Sequence, residues 1–285
     1  MPDSLLSSCY IFADDTKIFN KASDKDIIQD DIFKLQRWSE KWDLHFNVTK
    51  CHVMHMGVNN PRQEYVMRIQ NDQQKIAECT EEKNLGVTFD PKLTFDVHIH
   101  NVVSKANRML GIIKRTFMCL NKDSFLKLYK SFVRPHLEYA NVIWAPYLKR
   151  QSIYIENVQR RATRLLKFCA GLSYEERLRS LHLHSLKGRR DRGDLIQIYK
   201  IFNSIDDISF NSLFSPSLCS NLRNSEGKIL KRQCETNLRK YTFSYRVVSN
   251  WNALPNHIKT AKSLNEFKIF IDRDPNLGEL FYGYD

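Results

Sequence analysis

Apolar residues recur along this chain with two different periods, and the change falls near Pro91. Before it they gather in short β-prone runs, at 9–13, 17–19, 44–46, 51–56, 65–70, 75–79 and 85–89. Asp14-Asp15-Thr16 is turn-like between the first two runs, and Asn59-Asn60-Pro61 breaks two others. Ser23 and Asp26 have capping-box spacing, which predicts a helix with Ile28, Ile32, Leu35, Trp38 and Trp42 on its core face. After Pro91 the spacing is that of long helices, over 95–120, 122–133, 136–144, 153–169, 174–181 and 186–204. Val103, Ala106, Leu110, Ile113 and Phe117 make one such stripe. Residues 206–237 read as loop, and helices are expected at 241–251 and 264–271. The fold class is therefore α+β, in three segments: 1–90, 91–205 and 206–285.

A chain of 285 residues, 42% hydrophobic and 27% charged, has an ordinary globular composition and is long enough to bury a core. With 9 glycines it carries neither G-x-G-x-x-G nor G-x-x-x-x-G-K, so dinucleotide and P-loop readings lose their main support. Its apolar runs fall far short of the ~20 residues a membrane span needs, so no membrane partner is expected. Seven scattered cysteines include no C-x-x-C pair, and the paired histidines at 52/55, 98/100 and 182/184 lack acidic or thiol partners nearby. The opening Met-Pro-Asp has no basic segment of a secretory signal. An intracellular protein, nuclear or cytoplasmic and not secreted, is the expectation.

The net charge of +12 is unevenly spread. Residues 91–205 hold 22 Lys/Arg against 8 Asp/Glu, while residues 1–90 hold 11 against 15. A basic helical block points to a polyanion partner, or else to a solvated basic face. Two clusters stand out, Arg160, Arg161, Arg164 and Lys167, then Lys187, Arg189, Arg190 and Arg192. Lys105, Arg108, Lys114 and Arg115 lie between the apolar positions of the first long helix. Asp14 and Asp15 are the acidic pair placed where chemistry would use it. Adjacent carboxylates at a hairpin tip can both reach a divalent ion, although the dipeptide alone is equally a turn former.

The surroundings of that pair resemble reverse transcriptases of non-LTR, LINE-type, jockey-like retrotransposons. Phe12-Ala13-Asp14-Asp15-Thr16-Lys17 is similar to their aspartate-pair motif. Leu35-x-x-Trp38-x-x-x-Trp42-x-Leu44-x-Phe46-Asn47-x-x-Lys50-Cys51 and Lys83-Asn84-Leu85-Gly86-Val87-x-Phe89-Asp90 resemble the motifs that follow. So do Leu128-Tyr129-x-Ser131-x-Val133-Arg134-Pro135-x-Leu137-Glu138-Tyr139, Val158-Gln159-Arg160-Arg161-Ala162-Thr163 and Phe243-x-x-Arg246-Val247-x-x-x-Trp251-Asn252-x-Leu254-Pro255. The likeness runs from about residue 10 to 272.

The resemblance implies a partial polymerase palm, built of a hairpin, a helix and short antiparallel strands, followed by a helical thumb-like bundle and C-terminal helices. It implies RNA-directed DNA polymerase chemistry on an RNA template and a DNA primer. Asp14 and Asp15 would hold Mg2+, Lys50 would protonate the leaving group, and Leu85-Gly86 would belong to a primer grip. Lys105, Arg108, Lys114, Arg115, Arg160, Arg161, Arg164, Lys167, Arg189 and Arg190 would contact nucleic acid. Only 13 residues precede Asp14, whereas the family places fingers and a further metal-binding aspartate upstream. The expectation is a chain inactive by itself. The alternative is a non-catalytic, basic helical module that binds nucleic acid.

Overall fold

The computed structural model describes residues 4–57, 59–69, 72–217, 227–274 and 277. Helices joined to small sheets make the chain α+β. By contact it divides into two units, Met1–Thr94 and Phe95–Asp285.

The first unit opens with an antiparallel hairpin of β1 (Ser8–Phe12) and β2 (Asp15–Phe19), in register from Ser8↔Phe19 to Phe12↔Asp15. Helix α1 (Lys25–Lys41) follows. Then come β3 (His52–Val53), the β4–β5 hairpin (Val66–Ile69, Asp72–Lys75), β6 (Ala77–Glu78) and the β7–β8 hairpin (Glu82–Asn84, Val87–Phe89). β3 and β6 pair in parallel. Ile32, Val48, Tyr65, Met67 and Ile76 form the core, with Ile18 and Ile28 against it. Two side chains of α1 close the free edge of β4. Gln29 bonds both backbone groups of Val66, and Gln36 both of Arg68, at 2.8–2.9 Å. Such cover blunts an edge that would otherwise recruit another strand.

Helix α1 departs from expectation at both ends. Its N-cap is Asp24, with no side-chain capping bond, and the Ser23 hydroxyl is spent on the Asp24 carboxylate. At the other end Asp43 adopts φ +55, and Leu44 N–H bonds Ser39 C=O while Asp43 N–H bonds Glu40 C=O. That Schellman pattern stops the helix and swings Trp42 out of the apolar stripe, leaving it 60% exposed. The expected strand at 44–46 is irregular, and the run at 75–79 is divided between β5 and β6.

The second unit is helical. Its elements are α2 (Asp96–Thr116), α3 (Lys122–Leu128), α4 (Arg134–Glu138), α5 (Asn141–Trp144), α6 (Lys149–Thr163), α7 (Tyr174–Leu181), α8 (Leu186–Phe202), α9 (Phe210–Leu213), α10 (Asn237–Lys240), α11 (Phe243–Ala253), α12 (Asn256–Lys259) and α13 (Leu264–Arg273). A π-turn over Tyr129–Val133 joins α3 to α4. Pro135 has no N–H to donate to the preceding turn, and the widened turn before it lets the chain stay helical while Tyr129 and Val133 stay buried. The expected helix over 153–169 ends at Thr163, followed by a single 3₁₀ turn, Lys167–Cys169. α8 packs against α5, α6, α11 and α13. Its Leu195, Ile198 and Tyr199 share one core with Val247, Trp251, Ile258 and Phe267, so the segments read separately in sequence as 91–205 and 206–285 meet around α8. Of the expected loop at 206–237, residues 218–226 lie outside the described ones. Among the described residues no helix is long and apolar enough to cross a membrane.

Candidate nucleic-acid interface

Phe12 and Asp15 pair across the β1–β2 turn, so its loop is the two residues Ala13 and Asp14. Ala13 takes φ +53, a conformation an alanine pays for. Asp14 and Asp15 are both exposed at this tip. No hydrogen bond or ion pair joins either carboxylate to Lys50, among the described residues. Lys50 ends a 3₁₀ turn, Val48–Lys50, that Asn47 caps by accepting from Thr49 N–H, and it too is exposed. Among the described residues no three His, Cys, Asp or Glu side chains are grouped to hold a metal ion. Two-metal phosphoryl transfer needs more ligands than this pair supplies, so the described residues do not complete a magnesium site.

The β7–β8 hairpin turns through Leu85 (φ +46) and Gly86 (φ +85), with Asn84 paired to Val87. Positive φ at both loop positions is a type I′ turn, which Gly86 satisfies without cost and Leu85 does not. The Lys17 ammonium bonds the Asn84 side-chain oxygen, tying this hairpin to β2.

In the second unit α2 and α6 run parallel, side by side. Arg150 meets Asp96 at 3.2 Å, Tyr154 meets His100 at 3.4 Å, and Arg161 donates to Asn107 at 2.8 Å, each 54 residues apart in sequence. A constant offset fixes both direction and register. The buried stripe of α2 is Ile99, Val103, Ala106, Leu110 and Ile113, and Phe117 lies beyond the helix end, exposed. That burial turns Lys105, Arg108, Lys114 and Arg115 to solvent. Arg161, Arg164 and Lys167 are exposed at and beyond the end of α6. Among the described residues none of these seven cations is paired with a carboxylate. Lys114 and Arg115 in the last turn of α2, and Arg161 and Arg164 at the end of α6, also suit the negative end of each macrodipole.

Three expected contacts are built into the fold instead. Arg190 is 5% exposed and donates to Ser152 Oγ at 3.0 Å. Arg189 forks onto both carboxylate oxygens of Glu138. Arg160 lies half-buried over the ring of Tyr174, 4.7 Å from its centre. The motif around it is structural as well. Gln159 is fully buried; it accepts from Tyr129 OH at 2.6 Å and donates to Tyr174 OH and His184 C=O. Glu156, also buried, accepts from Tyr174 OH and from the Leu186 and Lys187 N–H groups that open α8. Thr163 Oγ1 accepts from Arg177 Nε. Sequence reading passed over Glu156 as a partner-bearing residue. Its signal is the polar set 156, 159 and 163, which recurs at helical spacing inside the apolar stripe of Ile155, Val158 and Ala162.

A stretch of 140 residues is 27% identical to "RNA-directed DNA polymerase from mobile element jockey" of Drosophila funebris, over 45% of this chain and 14% of that protein. A stretch of 134 residues is 27% identical to an uncharacterized protein of Caenorhabditis elegans, over 46% of this chain and 66% of that protein. The chain thus spans less than two thirds of the length of either relative. No family model and no solved structure matches it. A reverse transcriptase of a jockey element is a distant homologue of this chain.

Proposed function

We propose that this chain is part of a retrotransposon reverse transcriptase, with the first unit as the later part of a palm and the second as a thumb. Its role is to hold an RNA template and DNA primer by their phosphates. The observation that carries this reading is the set of exposed cations without carboxylate partners among the described residues, Lys105, Arg108, Lys114, Arg115, Arg161, Arg164 and Lys167, carried by the parallel α2–α6 pair and the turn after it. Exposed cations of this kind contact phosphates and carry no sequence information. The Asp14-Asp15 hairpin and the Leu85-Gly86 turn support the palm assignment, and the distant jockey relative supports the family. Under this reading Asp14 and Asp15 supply two ligands of a magnesium site whose remaining ligands are not among the described residues.

A specific observation favours the non-catalytic alternative for the chain by itself: no third carboxylate joins that pair among the described residues. Photocrosslinking separates binding from its absence. An RNA–DNA hybrid carrying 4-thiouridine is irradiated with the full chain and the adducts are mapped by mass spectrometry. Adducts concentrated on peptides of α2 and α6 are expected. Adducts confined to the acidic first unit, or none at low salt, would refute the reading.

A further inference from the structure

In the second unit, α9, the chain at 230–232, Arg239 and the start of α11 line a cleft of about 350 Å³. Much of its lining is basic and hydroxylic. Lys231, Arg232 and Arg239 line it, and among the described residues none of the three is paired with a carboxylate. Each is held in place by a neutral partner. Arg232 Nη2 donates to Ser215 Oγ at 2.7 Å, and Lys231 Nζ to Ser249 Oγ at 2.8 Å. Arg239 stacks over the Tyr245 ring, 5.3 Å from its centre. Thr242 and Ser244 add hydroxyls to the lining, and among the described residues no acidic side chain lines the cleft. Leu213 and Leu230 add partly exposed apolar surface.

We propose that this cleft binds a nucleoside 5′-phosphate, either free or as the end of a nucleic-acid strand. Three positioned cations with hydroxyl neighbours and no carboxylate select an anion with several acceptor oxygens. Leu213 and Leu230 give a base or sugar apolar surface to cover, and a cleft at the lower end of the ligand-site size range admits one nucleotide. Cations held by serine hydroxyls and a ring face keep their full charge for the ligand, unlike Arg189, which Glu138 neutralises. The site shares no residue with the cations of α2 and α6 and stands whether or not those bind nucleic acid.

Calorimetric titration of the full chain tests it, with adenosine 5′-monophosphate, adenosine and inorganic phosphate as the probes. Saturable binding of the monophosphate, at least tenfold tighter than either fragment, is expected. Arg232→Gln with Arg239→Gln is expected to weaken it at least tenfold, Lys231→Gln by less, with melting temperatures unchanged because all three side chains are exposed. Arg161→Glu with Arg164→Glu is expected to leave it unaltered, which separates this site from the proposed template contact. Competition by a 5′-phosphorylated oligonucleotide assigns the site to strand ends, and failure to compete assigns it to free nucleotide; both uphold a nucleoside-phosphate site. The proposal is overturned if the monophosphate does not saturate, if adenosine binds equally well, or if the folded double variant binds as before.

Discussion

Leu85 holds a positive φ where glycine or asparagine would sit without strain, and its side chain stands exposed at a hairpin tip. Local strain in an exposed residue is relieved by a substitution that fits the backbone. Leu85→Asn is therefore expected to raise stability by up to about 1 kcal/mol in urea unfolding. If Leu85 serves the primer grip, the same variant weakens binding of an RNA–DNA hybrid while gaining stability. Asp14→Asn with Asp15→Asn should change stability by no more than about 0.5 kcal/mol, since both carboxylates are exposed. A loss of several kcal/mol would make them structural. Asp191 gives the pH dependence a sign. Burial, reinforced by Asp194 and opposed chiefly by Arg190, lifts its carboxyl to about 6. The unfolded chain releases that proton near pH ~4, so the native state binds more protons between there and about 6, and stability falls as pH rises through that window. Asp191→Asn should gain about 1–2 kcal/mol at pH 7 and almost nothing at pH 4. An equal gain at both pH values would contradict this origin. His98 acts oppositely. Burial, helped by Lys105, lowers its imidazole to about 4, so its contribution is complete above pH ~6.5 and is lost as the pH falls toward 4.

At the scale of elements, α6 is held by the hydrogen bonds of Gln159 and Glu156 as much as by its apolar stripe. Gln159→Leu strands the buried Tyr129 hydroxyl and the His184 carbonyl, and should cost about 2–4 kcal/mol. Arg161→Ala on the same helix should cost less than about 0.5 kcal/mol, because its partner Asn107 reaches solvent. Chemical denaturation of the two variants gives the comparison, and equal losses would mean that the network adds nothing. The same helix marks what was legible in the sequence. Helical period locates α1, α2, α7, α8 and α11, because their apolar residues recur on one face, and two β-prone runs around a turn locate the β1–β2 hairpin. Their ends were less legible where backbone geometry decided them, as in the Asp43 cap and the π-turn before Pro135. Arg189 and Arg190 read in sequence as nucleic-acid contacts because their partners, Glu138 and Ser152, are 51 and 38 residues away. Nothing local marks a cation that a distant residue has claimed.

At the scale of the whole molecule, charge and fold divide along the same line. The unit Met1–Thr94 carries the Asp14-Asp15 tip and the acidic part of the sequence, while Phe95–Asp285 carries the basic block. Within the second unit the parallel α2 and α6, with the turn that follows, carry exposed cations drawn from some sixty residues of sequence. Phosphate contacts of that kind release counterions, so affinity must fall with salt in proportion to the number of cations engaged. The most direct test is the affinity of the full chain for an RNA–DNA hybrid of mixed sequence, measured by fluorescence anisotropy across a series of salt concentrations. A slope of log K against log [salt] of about −2 or steeper is expected, since at least three of the seven cations should engage at ~0.7–0.9 each. Reversing Lys105, Arg161 and Arg164 to Glu should flatten it by about 2–3 for every sequence alike. A slope near zero, or one that the triple reversal leaves unchanged, would contradict the central claim that these exposed cations hold nucleic acid.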